Sequence, residues 1–107
     1  MNAILVGPDR GLGDALGAQG VSVERIGLGS AAELEDAGVA DADVLVLTDV
    51  GESTAVSVAL ELNDRLKTVV YSPDTIPEFV RGQLDLALDT ELLDPDLVAE
   101  ELAGVEA

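Results

Sequence analysis

The chain has 107 residues, neither cysteine nor histidine, and 22 acidic against 5 basic residues, for a formal net charge of −17 at pH 7. The missing side chains exclude disulfides, thiolate nucleophiles, imidazole bases and almost every zinc or iron site, leaving carboxylate, hydroxyl and backbone chemistry. Five cations make no patch for nucleic acid, no apolar run approaches the roughly 18 residues of a membrane span, and 48% hydrophobic content fits a folded core rather than a disordered acidic tail. A single domain over residues 1–107 is expected, because this length buries a core without metal or disulfide and leaves no room for a second. The start Met1-Asn2-Ala3 lacks the basic region of a signal peptide, so a cytoplasmic chain is expected.

Apolar runs alternate with helical patterns along the chain, which is the signature of a parallel sheet built from βαβ units. Ala3-Ile4-Leu5-Val6 reads as the first strand, followed by a helix with Leu12, Ala15 and Leu16 on its buried face. Val21-Ser22-Val23-Glu24 alternates as a second strand, and Ser30-x-x-Glu33 is a capping box opening the next helix. Val44-Leu45-Val46-Leu47 is the third strand, and Val56, Ala59, Leu60 and Leu62 give its following helix an apolar face. Thr68-Val69-Val70-Tyr71 is the fourth strand, with Thr75-x-x-Glu78 as a second capping box. Leu84-Asp85-Leu86-Ala87-Leu88 alternates as the fifth strand, and Asp94-Pro95 supplies an N-cap and first-turn proline for the last helix. Gly20, Gly38, Gly82 and Gly104 stand where helices should stop and are expected in left-handed backbone. Tyr71 and Phe79, the only aromatics, are expected in the core.

Continuous apolar strands suit the interior of a sheet covered on both faces, and alternating strands suit its edges. The first, third and fourth strands are therefore interior and the second and fifth lie outside. The expected fold is an α/β three-layer sandwich, Rossmann-like or flavodoxin-like, with strand order 2-1-3-4-5.

In such a sheet, ligands bind beyond the carboxyl ends of the strands where the order reverses, here between the first and third. The loops at that point are Gly7-Pro8-Asp9-Arg10-Gly11-Leu12-Gly13 and Thr48-Asp49-Val50-Gly51-Glu52-Ser53-Thr54, with Ser72-Pro73-Asp74 alongside. Gly7, Gly11 and Gly13, placed between a strand and a helix, let backbone approach a phosphate. They equally make a tight turn with Asp9 as N-cap. An open crevice favours a ligand, whereas one filled by Pro8, Leu12 and Val50 favours protein interaction. The first loop resembles the glycine motif of short-chain dehydrogenases, and Asp43-Val44-Leu45-Val46 is similar to that family's third coenzyme-lining strand. The chain lacks the family's Asn-Asn-Ala-Gly and Tyr-x-x-x-Lys elements, so no dehydrogenase activity is expected.

Asp9, Asp49 and Ser72, after the first, third and fourth strands, fall where response-regulator receiver domains carry a metal-binding acid, a phosphoacceptor aspartate and a hydroxyl residue. Leu93-Asp94-Pro95-Asp96-Leu97-Val98 also resembles a receiver's last strand-to-helix turn. Receivers pair two acids after the first strand and place a lysine after the fifth. This chain has Pro8-Asp9 and Asp89-Thr90 instead.

Charge of this density repels a compact chain unless salt screens it, and the Debye length falls from about 10 Å at 0.1 M to about 3 Å at 1 M. The composition resembles proteins of extreme halophiles with salt-filled cytoplasm. As a whole, the chain is similar to short haloarchaeal Rossmann-like proteins of unknown function, sometimes labelled CTP synthetase. It lacks the lysine-rich phosphate loop and glutaminase cysteine of that enzyme.

Two functions are expected from different classes. The first is a non-catalytic module binding a nucleotide or other phosphate-bearing ligand through Gly7, Asp9, Arg10, Gly11 and Gly13, with Asp49, Ser53 and Ser72 opposite. No catalytic residue, metal ligand or particular cofactor is assigned. The second is a degenerate receiver-like signalling module that presents a surface to a protein partner without phosphotransfer. Neither nucleic acid nor membrane is an expected partner, and a high K⁺ environment is.

Overall fold

Alternation along the first strand divides its side chains between two cores. In the computed structural model, which describes residues 1–104, Ala3 and Leu5 join one buried cluster while Ile4 and Val6 join the other. This period-2 division is what a strand covered on both faces requires. The strands are β1 (Asn2–Val6), β2 (Ser22–Ile26), β3 (Val44–Leu47), β4 (Lys67–Tyr71) and β5 (Leu86–Leu88). They form one parallel sheet in the order β2-β1-β3-β4-β5, the order expected from the contrast between continuous and alternating runs.

The helices are α1 (Leu12–Ala18), α2 (Ala31–Asp36), α3 (Thr54–Leu62), α4 (Glu78–Arg81) and α5 (Pro95–Ala103). Leu12, Ala15 and Leu16 of α1 and Val98, Ala99 and Leu102 of α5 cover one face of the sheet. Leu34 of α2, Ala55, Val56 and Ala59 of α3 and Val80 of α4 cover the other. The result is a three-layer sandwich whose central strand β3 is buried at every residue.

Local signals explain most boundaries. Ser30 Oγ accepts a hydrogen bond from the Glu33 amide at 3.3 Å and so caps α2. Asp94 precedes Pro95 with extended backbone at the head of α5, although its carboxylate makes no capping bond. The Thr75-x-x-Glu78 box does not form. Pro77, with ψ 143°, holds the chain extended until Glu78, so α4 starts too late for Thr75 to reach its amides. That leaves α4 a single turn with only Val80 in the core, and Phe79, expected inside, is 59% exposed. Tyr71 is buried as expected. Gly20 and Gly38 adopt positive φ, whereas Gly82 (φ −69°) and Gly104 (φ −80°) remain right-handed. After α4 the chain leaves through bonds from Gln83 N to Val80 O and Leu84 N to Arg81 O, which need no left-handed residue.

Among the described residues, no aspartate or glutamate is buried, and a single ion pair joins Arg25 to Asp9 at 3.7 Å. No helix among them is long and apolar enough to cross a membrane.

Candidate functional site

The carboxyl ends of β1 and β3 meet at Gly7, whose φ of +118° a side chain would oppose. Space forbids one as well: a Cβ there would lie 2.6 Å from Thr48 Oγ1 and 2.8 Å from both the amide nitrogen and Cβ of Asp49. The two loops are stitched together at this point. Thr48, fully buried, donates its hydroxyl to Pro8 O at 2.6 Å, with Val6 O at 3.2 Å as a longer alternative. In return Arg10 Nε donates to Thr48 O at 3.0 Å, from a backbone held at φ 51°. A non-glycine residue in that conformation is strained, and the bond to Thr48 helps hold it.

The other two glycines of the loop also have neighbours. A Cβ on Gly11 (φ +79°) would lie 3.2 Å from Pro95 Cγ, so this glycine lets the first loop approach the start of α5. At Gly13 a Cβ would overlap the carboxylate of Asp9. Asp9 is therefore not the N-cap of α1; that position is Gly11, and no side chain caps it. The Asp9 carboxylate lies instead over Gly13, beside Arg25 of β2. Pro8, Leu12 and Val50, the residues whose filling of the crevice would favour protein interaction, do not come together there. Leu12 enters the core, Val50 packs against the opposite cluster and Pro8 is exposed, while Thr48 occupies the junction.

The remaining polar residues expected at the site bond within their own loops. Asp49 Oδ1 accepts from the Gly51 amide at 2.9 Å. Ser53, buried, donates to the Val50 carbonyl. Ser72, also buried, accepts from the Asp74 amide at 3.1 Å. Where receivers place a lysine, Asp89 Oδ1 accepts from the Glu91 amide at 2.8 Å. Among the described residues no buried side-chain nitrogen or oxygen is left without a partner. Behind the crevice, the Tyr71 hydroxyl donates to Leu93 O at 2.7 Å. Burial pushes its phenol above its ordinary value, the Asp94 carboxylate adds to the rise and the Arg10 guanidinium opposes it.

Gly7, Arg10 and Asp49 thus meet around Thr48, a strut that went unassigned from sequence because a threonine after a strand is unremarkable. Gly11 faces Pro95, and Gly13 faces Asp9. Three surface hollows lie away from this junction. One, of about 340 Å³, is apolar and lies between β5 and α5. The other two involve residues before β3 and β4 and residues at the start of β1 and β2.

Residues 3–102 match DUF7126, a family of unknown function. The chain belongs to the DUF7126 family. No curated protein matches it. Solved structures with a similar fold include response regulators. An orphan response regulator of H. pylori is similar with a TM-score of 0.73 at 17% identity, over 95% of this chain and 92% of that one. The N-terminal domain of a response regulator/sensory box/GGDEF three-domain protein from Carboxydothermus hydrogenoformans gives 0.72 at 17% identity, over 96% and 93%. A response regulator from Burkholderia pseudomallei, solved with a phosphorylated aspartic acid and a calcium ion, gives 0.68 at 14% identity, over 99% and 72%. At these identities the likeness establishes a flavodoxin-like, receiver-type fold for this DUF7126 member.

Phosphotransfer in that fold would call for a divalent cation between carboxylates. The residues present do not fit one. Asp9 pairs with Arg25, Asp49 accepts from a backbone amide, and the described residues contain no group of three or more acids able to hold a metal.

Proposed function

We propose that this DUF7126 chain is a receiver-like interaction module that works without phosphotransfer. The observation that carries the reading is the tie between the β1 and β3 loops, where Thr48 bridges to Pro8 and Arg10 bridges back to Thr48. Asp49 is engaged by its own loop, and an aspartate stands where receivers place the lysine that stabilises an incoming phosphoryl group. The receiver-type fold of its structural neighbours supports a signalling or scaffolding role in which surfaces meet a partner protein. Incubating the full chain with acetyl phosphate and Mg²⁺ in molar KCl should produce no mass gain. A phosphoryl group on Asp49 would refute the reading.

The second reading, a phosphate-ligand module through Gly7, Asp9, Arg10, Gly11 and Gly13 with Asp49, Ser53 and Ser72 opposite, is favoured by one feature. Arg10 is an exposed cation beside the crevice. Against it, the Asp9 carboxylate stands over Gly13, close to the place an anion would take. Nucleotide titration that shifts the amides of Gly11 and Gly13 would favour this reading over the first.

We also propose that the protein works in concentrated salt, in a cytoplasm rich in K⁺. With one ion pair among the described residues to offset so many solvent-facing carboxylates, stability should rise as KCl screens their repulsion. A melting temperature that falls or stays level from dilute buffer to molar KCl would count against it.

A further inference from the structure

The apolar hollow between β5 and α5 lies outside the β1/β3 junction and plays no part in it. Leu86 and Leu88 of β5 form one wall, and Leu93, Leu97, Val98 and Leu102 form the other. Leu86 and Leu97 are 39% and 46% exposed, and Leu92, just before α5, is 80% exposed. Leucines gathered around one hollow offer apolar contacts to a partner that scattered exposed leucines do not. The wall is also fixed in place, because the Tyr71 hydroxyl holds the carbonyl of Leu93 from below and Gly11 receives Pro95 at the head of α5.

At contact distance, where even the Debye length of about 3 Å in molar salt leaves charge felt, charge distinguishes the occupants. The segment from residue 82 to residue 107, which supplies both walls, contains eight acids and no lysine or arginine. Glu101 lines the hollow itself. A second copy of the chain, docked about a twofold axis, would set this cation-free segment against itself. A partner with basic flanks would instead meet opposite charge at Glu101.

We propose that the β5/α5 groove docks an amphipathic helix of a partner protein. The helix would insert leucine-type side chains between Leu86 and Leu97 and set lysine or arginine against Glu101 and the neighbouring acids. This inference rests on the interaction reading above and names its surface. Helices bind such grooves through apolar residues at i, i+3, i+4 and i+7, with polar flanks that set orientation. A hollow of about 340 Å³ has room for a few branched aliphatic side chains.

The test uses the full chain in molar KCl and a synthetic peptide with leucines at that helical spacing and lysines on the flanks. The controls are a scrambled peptide and one with glutamate for lysine. Titration should shift the amides of Leu86, Leu88, Leu93 and Leu97 to Leu102. Leu97→Gln and Leu86→Thr should each weaken binding about tenfold, as expected for central apolar anchors. Both side chains are partly solvent-exposed, so circular dichroism should show both variants folded. The glutamate peptide should bind more weakly, and the gap should widen as KCl is lowered within the folded range. Equal binding of the scrambled peptide, or shifts confined to another face, would overturn the proposal. So would sedimentation showing the free chain already dimeric through this face and made monomeric by Leu97→Gln. Phosphorylation at Asp49 would refute the underlying reading, whereas peptide failure alone refutes only the groove.

Discussion

The switch point between β1 and β3 and the far β5 edge of the sheet solve opposite problems. At the β1/β3 junction, where an open parallel sheet offers its ligand site, the β1 and β3 loops are tied to each other by short polar contacts, and Thr48 is wholly buried. At the β5 edge, a three-residue strand and one helix leave leucines in contact with solvent. Polar groups that satisfy one another internally hold a shape and offer little to a ligand. Uncovered apolar groups hold less shape and offer a surface. On the reading proposed above, the usual position serves architecture and the edge serves recognition.

The contrast can be broken most forcefully at Gly7. Gly7→Val adds a side chain at φ +118° against the Asp49 backbone, and should cost about 3 kcal/mol or more, from strain and overpacking together. Urea unfolding in molar KCl measures it, and a midpoint near that of the parent would mean that the junction is looser than described.

Thr48→Val comes next. It keeps the shape but removes the hydroxyl that bridges to Pro8, and should cost about 1–3 kcal/mol, because a buried polar contact is lost without relief. The same unfolding series reads it, and Arg10 should become more mobile in amide relaxation.

Tyr71→Phe removes one hydrogen bond to Leu93 and should cost about 1 kcal/mol. It also changes the alkaline limb. The folded phenol is raised above its unfolded value, so the unfolded chain loses that proton first. The contribution of Tyr71 to stability is therefore whole below about pH 10 and declines as pH climbs through the higher folded value. With one tyrosine and no tryptophan in the chain, tyrosinate absorbance follows this group alone, and Tyr71→Phe should flatten the decline.

Leu97→Gln should have the smallest effect on stability, within about 0.5 kcal/mol, because the side chain is 46% exposed. A large loss at Leu97 would place it in the core and remove the contrast with Thr48.

Much of this architecture was legible in the sequence for a simple reason. Val44 to Leu47 is apolar at every position, as burial on two faces requires, whereas Asp85 interrupts Leu84 to Leu88, as an edge strand allows. The loops at the switch point were also legible in position. Their internal bonds were not, because Asp9 meets Arg25 from another strand and Gly11 meets Pro95 from the far end of the chain. Thr75 had the spacing of a capping box, but Pro77 between it and Glu78 overrode that spacing by fixing extended backbone. Phe79 followed the same error outward, since a one-turn helix has one inward position and Val80 takes it. The β5/α5 groove could not be read from strand patterns at all. The alternation of Leu86 and Leu88 marks an edge strand but does not say how far a neighbouring helix covers it.

The central claim is that recognition has moved from the β1/β3 junction to the β5/α5 edge. Amide shifts of the full chain in molar KCl, recorded with a nucleotide and Mg²⁺ and then with the lysine-flanked leucine peptide, test it most directly. The nucleotide should leave Gly11, Gly13 and Asp49 unmoved, and the peptide should move Leu86, Leu88 and the turns of α5 from Leu97 to Leu102. Shifts at Gly11, Gly13 and Asp49 with the nucleotide, and none along α5 with the peptide, would contradict the account.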